Sequence, residues 1–203
     1  MCDYEKLSLG VQLAVAFGTV LAVVVAIWRD AFQAWLAGPK LSVRLRHPEG
    51  HMTRAGETPV RYYQLEVSNG RAWAPAKGVQ VLLFDVLCQD PGDSWQSIMP
   101  TRPIPFSWSF EAILGDRQEI GPEHLSDLLR VSEDGGAALC IRVTPHNLEW
   151  KPTSVRRARL VVGAVAEKAQ SPRISIDFWW DGQWNVGTAE MARHLRLQAT
   201  DAS

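Results

Sequence analysis

Cysteine is scarce in this chain, and neither sign of charge is in excess. Three cysteines in 203 residues are too few for a fold that depends on disulfides. Cys88 and Cys140 lie in apolar stretches, where a free thiol usually packs as a small hydrophobic group. A Cys88–Cys140 disulfide is the alternative if the domain is extracytoplasmic. The 21 Lys and Arg balance 22 Asp and Glu, so we expect no nucleic-acid partner, because such binding relies on clustered basic groups.

The densest basic group is Arg156, Arg157 and Arg159, on a predicted strand. Charged side chains protect the edge strands of a sheet from pairing with other chains. We therefore interpret these arginines as the charge of an edge strand.

Recognisable catalytic motifs are also missing. The chain has no GxxxxGK[ST] phosphate loop, no GxSxG nucleophile turn and no HExxH metal motif. The histidines are dispersed, and His47 and His51 are separated by Pro and Gly, so they cannot share one helical face. We expect no catalytic residue, no metal and no cofactor, and hence a protein that is not an enzyme.

One long uncharged run is present, from Leu7 to Trp28. A helix of this length rises far enough to cross the hydrocarbon core of a bilayer, about 30 Å. The run predicts a transmembrane helix over 7–28, after a short tail over 1–6, continuing as an interfacial helix to about residue 37. A cleaved signal peptide and a buried core helix are the alternatives. The rest of the chain, 39–203, has the size of one domain.

The residues that flank this run predict its orientation. Only Lys6 precedes it, whereas Arg29, Lys40, Arg44 and Arg46 follow it. The excess of positive charge predicts a single-pass protein of the inner membrane, with its N-terminus outside and its C-terminal domain cytoplasmic. Membrane lipid is then a partner, and the predicted interface anchors are Trp28, Arg29 and Trp35.

Small residues recur at every fourth position of the same run. Such a ridge lets two helices approach closely in lipid. It predicts self-association, or a partner helix, through Gly10, Ala14, Gly18, Ala22 and Ala26.

The segment 39–203 has the patterns of a β domain. Apolar and polar residues alternate over 41–46, 63–67 and 139–143, and strands are also predicted over 79–87, 160–165 and 174–180. Short helices are predicted at 122–130 and 189–197. Asp181-Gly182 predicts a tight turn that pairs 174–180 with 184–186. The fold class predicted is mainly β, a β-sandwich with two short helices behind the transmembrane helix.

The stretch Leu65-Glu66-Val67-Ser68-Asn69-Gly70, followed by Ala76-Lys77-Gly78-Val79-Gln80-Val81, resembles bacterial immunoglobulin-like domains. The layout of the chain also resembles uncharacterised single-pass bacterial membrane proteins, with Pro-Lys-Leu at the start of the domain and W-D-G-x-W near its end. This resemblance implies an immunoglobulin-like sandwich and no particular activity. Asn69 and Gly70 are predicted to form a positive-φ corner at a strand end.

Tryptophan is abundant, with nine residues. Indoles anchor protein partners and stack on sugars. Trp179, Trp180 and Trp184 are the surface-binding candidates, and Trp179 and Trp180 must face opposite sides of a strand. We predict a non-enzymatic module at the inner membrane that binds or scaffolds protein partners or self-associates as a homo-oligomer. The alternative is an extracytoplasmic domain that binds glycan or cell wall through exposed tryptophans.

Overall fold

The computed structural model describes residues 12, 15–26, 28–29, 38–89, 94–99, 102–109, 118–120, 123–133, 136–144, 148 and 157–201. The chain divides into two compact units, Met1–Gly38 and Pro39–Ser203.

In the first unit, residues 15–26 are helical. Among the described residues, no helix is long and apolar enough to cross a membrane. The prediction of a transmembrane helix over 7–28 is therefore wrong. The inner-membrane location, the lipid partner and the interface anchors stay predictions.

The second unit is built from strands and one short helix, Thr188–His194. The strands in chain order are β1 (Leu41–Leu45), β2 (His51–Ala55), β3 (Thr58–Asn69), β4 (Ala76–Gln89), β5 (Trp95–Ser97), β6 (Ile104–Pro105), β7 (Gln118–Ile120), β8 (Glu123–Ser132), β9 (Gly136–Leu139), β10 (Arg157–Ala166), β11 (Ala169–Gln170), β12 (Ile174–Trp180) and β13 (Leu195–Asp201).

These strands form two sheets in which every described pairing is antiparallel. The smaller sheet has the order β1-β3-β8-β9, with β2 also on β3. The larger sheet has the order β13-β12-β10-β4-β5, and β6, β7 and β11 pair with β4 or β10. With β1, β3 and β8 as strands A, B and E, and β4, β10 and β12 as C, F and G, the neighbours match the immunoglobulin order. Membership of that family stays a prediction.

Alternation along each strand produces the core. The inward side chains of both sheets belong to one hydrophobic cluster, so the sheets pack face to face as predicted from the strand pattern. Full burial of one such aliphatic or aromatic side chain contributes about 1.5–3 kcal/mol. Members from the main strands include Val43, Leu65, Val67, Val81, Leu83, Leu160, Val162, Ile176 and Phe178.

A buried arginine connects β3 to the loop before the short helix. Arg61 is fully buried, and its guanidinium donates to the Glu49 carbonyl at 2.9 Å and to the Val186 carbonyl at 2.8 Å. A weaker contact of 3.4 Å reaches the Thr188 hydroxyl. Hydrogen bonds of this kind offset the desolvation of a buried cation.

Three local predictions are wrong. Residues 123–132 form β8, although a helix was predicted over 122–130. The helix predicted over 189–197 ends at His194, and the chain continues as β13. The Asp181-Gly182 turn has Gly182 at φ 89°, yet β12 pairs with β13 and not with 184–186. In each case strand pairing with a neighbour overrides the local pattern.

The side chain of Asn69 stabilises the end of β3. Gly70, the next residue, does not have a positive φ. The Asn69 carbonyl oxygen accepts from the N–H of Lys40 at 3.0 Å and of Arg71 at 3.1 Å. Its amide donates to the Ala74 carbonyl at 2.7 Å. The asparagine therefore satisfies backbone groups of two segments at once, and the predicted positive-φ corner at Gly70 is wrong.

Candidate binding surface

The outer face of the larger sheet carries a row of large polar and aromatic side chains. Side chains at equivalent positions of paired strands lie beside each other on one face. Gln89 pairs with Trp95, Arg157 with Trp179, and Trp179 with Arg196. Arg157 also donates to the Gln89 side chain at 3.4 Å, and this contact joins the pair on β4 and β5 to the three residues on β10, β12 and β13. We call this set the cross-sheet row: Trp95, Gln89, Arg157, Trp179 and Arg196.

A second line of outward side chains runs beside the row. Arg159 pairs with Leu87 on one side and Asp177 on the other, and Asp177 pairs with Gln198. Arg159 donates to the two Asp177 oxygens at 2.6 and 3.1 Å, a two-point ion pair. The hydrogen bond to Asp177 raises the pKa of the Arg159 guanidinium. The only carboxylate of this line is thus already committed to Arg159.

Guanidinium groups stack on the aromatic rings of this face. The Arg159 guanidinium carbon lies 4.9 Å from the Trp95 ring centroid, and that of Arg196 lies 5.6 Å from Trp179. Both distances are within the range for cation–π attraction. Each contact places a guanidinium against an indole on the outer face of the sheet, and the N–H groups of Arg159 are at the same time bonded to Asp177.

A third stack stands further along the same sheet. Arg173 lies 4.1 Å from the Phe84 ring centroid. A Cβ at Gly163 would come within 3.2 Å of that ring. A glycine in the central strand β10 therefore leaves room for an aromatic ring on the outer face.

The cross-sheet row lines an open groove of about 500 Å³. Trp95 is 38% exposed, and Trp179 is half-buried. The groove is bounded by Gln89, Trp95, Arg157, Ala158, Asp177, Phe178, Trp179, Arg196 and Gln198. Its floor is the backbone of paired strands, which positions its side chains more firmly than a loop would.

Two cations of this groove lack an acidic partner among the described residues. The hydrogen bond of Arg157 goes to a neutral amide, and the contact of Arg196 is with an indole. Arg159 is neutralised by Asp177. Among the described residues, the groove therefore presents two guanidinium groups without a carboxylate partner around a half-buried tryptophan.

The three tryptophans that the sequence suggested for the surface lie in different places. Trp180 is 4% exposed and donates from Nε1 to the Gln183 carbonyl at 3.1 Å, so it is part of the core. Trp184 packs against the core, and its buried Nε1 has no hydrogen-bond partner among the described residues. Trp179 faces outward. Only Trp179 of the three contributes to the cross-sheet row.

Of the predicted helix–helix ridge, Gly18, Ala22 and Ala26 lie within the helical stretch 15–26, and all three are exposed. Trp28 and Arg29 are also helical and exposed. Gly10, Ala14 and Trp35 lie outside the described residues.

Sequence reasoning missed Trp95, Gln89 and Arg196, and it interpreted Arg157 wrongly. β10 lies between β12 and β4, so its arginines are in a central strand and do not protect an edge. The alternation within β10 was a usable signal that Arg157 and Arg159 share one face. No local signal could place Trp95 or Arg196 beside them.

The other polar clusters of the described residues do not form a nucleophilic site. Ser109 donates to Asp127 at 2.6 Å and accepts from Gln64 at 3.0 Å. Neither neighbour is a base of the kind that activates a serine, such as histidine. Burial, together with the negative charge of Asp127, raises the pKa of the Cys140 thiol to about 12, which keeps it protonated and unreactive.

No disulfide joins Cys88 and Cys140. No group of three or more His, Cys, Asp or Glu side chains that could hold a metal ion occurs within the described ranges. No family model, no curated protein and no solved structure matches this chain.

Proposed function

We propose that the Pro39–Ser203 unit is a protein-interaction module that binds its partner through the cross-sheet row. The observation that carries the proposal is a set of two indoles and two arginines along one open groove, with no acidic partner for either arginine among the described residues. Trp and Arg are the residue types that most often dominate binding energy at interfaces. The rigid sheet below them keeps the ordering cost of binding small.

Catalysis is less well supported by the same groove. Its polar side chains are arginine, glutamine and one aspartate that is already paired with Arg159. An arginine stays protonated at physiological pH and does not serve as a general base. The groove can therefore orient and neutralise a ligand, but it offers no group to exchange a proton with it.

Glycan binding through the tryptophans is the second candidate, favoured by the exposure of Trp95. A sugar ring stacks on a free indole face, however, and guanidinium groups lie over both Trp95 and Trp179. A protein partner can use these stacks as they stand, since the N–H edge of a stacked guanidinium still donates. The protein partner is therefore preferred.

The test is site-specific photo-cross-linking in cells that normally express the full chain. A benzophenone amino acid is placed at Gln198, beside the row, or at Thr53, exposed on β2 of the smaller sheet. We expect a defined protein to cross-link from Gln198 and not from Thr53. Cross-links that arise only from Thr53 would contradict the proposal.

The cross-linked protein is then purified and titrated against three forms of the full chain. Trp179→Ala should weaken binding about thirtyfold, the effect of losing one aromatic anchor. Trp73→Ala is the matched control, because Trp73 is 74% exposed in the turn between β3 and β4. Unchanged affinity in Trp179→Ala would refute the role of the row. Binding to a glycan array that depends on Trp179 would favour the second candidate.

A further inference from the structure

We propose that the partner presents an extended acidic segment, with two carboxylates that bind Arg157 and Arg196 on either side of Trp179. This inference rests on the proposed function and specifies the chemistry of the ligand. It follows from charge, spacing and the stacking geometry of the row.

The charge balance of the groove favours an anionic ligand. Its lining holds two guanidinium groups, of Arg157 and Arg196, and one carboxylate, Asp177, which accepts from Arg159 at 2.6 and 3.1 Å. Arg157 and Arg196 keep donors for which the described residues supply no acid. Carboxylates match the planar fork of a guanidinium and form two parallel hydrogen bonds with it.

The spacing of the two arginines suits an extended peptide. Arg157 and Arg196 flank Trp179 in the register of β10, β12 and β13, so their backbones are two strand spacings apart, about 10 Å. Side chains two residues apart on one side of an extended chain are about 7 Å apart. The long arginine side chains can close the remaining distance. The indole of Trp179 lies between the two arginines, and the methylene groups that carry the carboxylates contact only the part of it that the Arg196 guanidinium leaves open.

The stacking geometry favours a peptide over an acidic polysaccharide. Arg196 covers Trp179, and Arg159 covers Trp95, so neither indole offers a clear platform to a sugar ring. Binding of a carboxylate requires no such platform and leaves both stacks in place. The glutamine side chains of Gln89 and Gln198 border the groove and can pair with the backbone of an extended segment.

The experiment selects peptides from a random displayed library on the immobilised full chain. The selected sequences are then made as fluorescein-labelled peptides, together with versions in which each Glu or Asp is replaced by Gln or Asn. We expect selection to enrich pairs of acidic residues two positions apart. The neutral versions should bind about tenfold more weakly for each carboxylate lost.

The variants Arg157→Gln and Arg196→Gln should each weaken the acidic peptides about tenfold. The matched control is Arg54→Gln, because Arg54 is an exposed arginine of β2 on the other sheet. Added salt should weaken binding of the acidic peptides to the parent chain more than to the variant that carries both Arg157→Gln and Arg196→Gln. An equal loss in Arg54→Gln would mean nonspecific charge attraction and would overturn the inference.

Two further outcomes separate the inference from the proposed function. If neutral peptides are selected, and their binding depends on Trp179 but not on Arg157 or Arg196, the acidic ligand is refuted while the interaction module stands. If no peptide binds in a Trp179-dependent way, and a sulfated or uronic-acid polysaccharide does, both proposals fail.

Discussion

Arg44 of the smaller sheet has an acidic partner and Arg61 has backbone acceptors for two of its nitrogens, whereas the described residues supply no acidic partner for Arg157 and Arg196 of the larger sheet. Arg44 donates to the buried Glu66 at 2.7 Å. Arg61 donates to two backbone carbonyls in the interior. Arg157 contacts a neutral amide, and Arg196 lies over an indole. Arg44 and Arg61 are therefore part of the fold, whereas Arg157 and Arg196 are the arginines proposed to bind a ligand.

The remaining polar groups on the outer face of the smaller sheet follow the same rule. Ser42 and Ser68 are hydrogen-bonded to each other at 2.8 Å, and Gln64 donates to Asp127 at 2.9 Å. Polar groups that satisfy one another stabilise a structure and have little left to offer a partner. This contrast between the two faces supports the proposed binding surface on the larger sheet.

The largest effect on stability is expected from Arg61→Ala. This substitution removes the buried guanidinium together with its two short hydrogen bonds. It leaves the carbonyls of Glu49 and Val186 without their donor. The free energy of unfolding should fall by about 3 kcal/mol, as measured by chemical denaturation. Arg54→Ala, at an exposed position, should change it by less than about 0.5 kcal/mol. Equal effects in the two variants would mean that Arg61 is not a structural arginine.

A smaller effect is expected from Glu66→Gln. The amide keeps the shape of the side chain. It replaces the ion pair with a hydrogen bond between the Arg44 cation and a neutral amide. Because Arg44 is 68% exposed, water screens the pair, and the loss should be about 1 kcal/mol. A double-mutant cycle with Arg44→Ala measures the coupling. A coupling indistinguishable from zero would remove this pair from the comparison.

The segment between β12 and β13, the strands that carry Trp179 and Arg196, should be less stable at low pH. Burial of the Asp181 carboxyl opposes its ionisation, but hydrogen bonds from His194 and the Gln183 N–H outweigh it and lower its pKa below 3.8. A carboxyl with a lowered folded-state pKa stabilises the fold above its unfolded-state pKa, and this stabilisation is lost as pH falls through the folded-state value.

The stability advantage of the parent chain over Asp181→Asn should therefore be present at about pH 5 and shrink as the pH falls below about 4. Denaturation curves at a series of pH values measure the difference. An advantage that grows as pH falls would reverse the sign and refute the assignment.

The smallest effect on stability is expected from Arg157→Gln and Arg196→Gln. Neither arginine has an acidic partner among the described residues, so unfolding free energies should change by less than about 0.5 kcal/mol. The same variants should lose binding, as described above. Losses of stability comparable to that of Glu66→Gln would place these arginines with the structural group and would remove the contrast between the sheets.

The strands were largely predictable, because alternation is a local property of the chain. The patterns at 41–46, 63–67, 79–87, 160–165 and 174–180 correspond to β1, β3, β4, β10 and β12. β8 was not predictable in this way. Its pairing with β3 shifts register between Tyr63 and Gln64, so that both Leu128 and Leu129 are buried. With Leu125, this spacing imitates one face of a helix.

The candidate surface was predictable only in part. Adjacent residues of a strand face opposite sides, so one of Trp179 and Trp180 had to be outside. Which one is outside depends on β12 packing its inner side against the core, with Trp180 in the interior. The helix Thr188–His194 lies between β12 and β13 in the chain, and β12 pairs with β13. This pairing brings Arg196 beside Trp179.

The sequence by itself determined a mainly β domain after residue 38, its principal strands, and the alternation that separates inner from outer side chains. Those properties depend on neighbours along the chain. Only the tertiary structure decided that Trp95, Arg157, Trp179 and Arg196 share one row, because strand order and register are set by packing between distant segments. The absence of a helix long enough to span a membrane among the described residues was likewise a finding of the structure, since hydropathy reports how apolar a segment is and not how long its helix becomes.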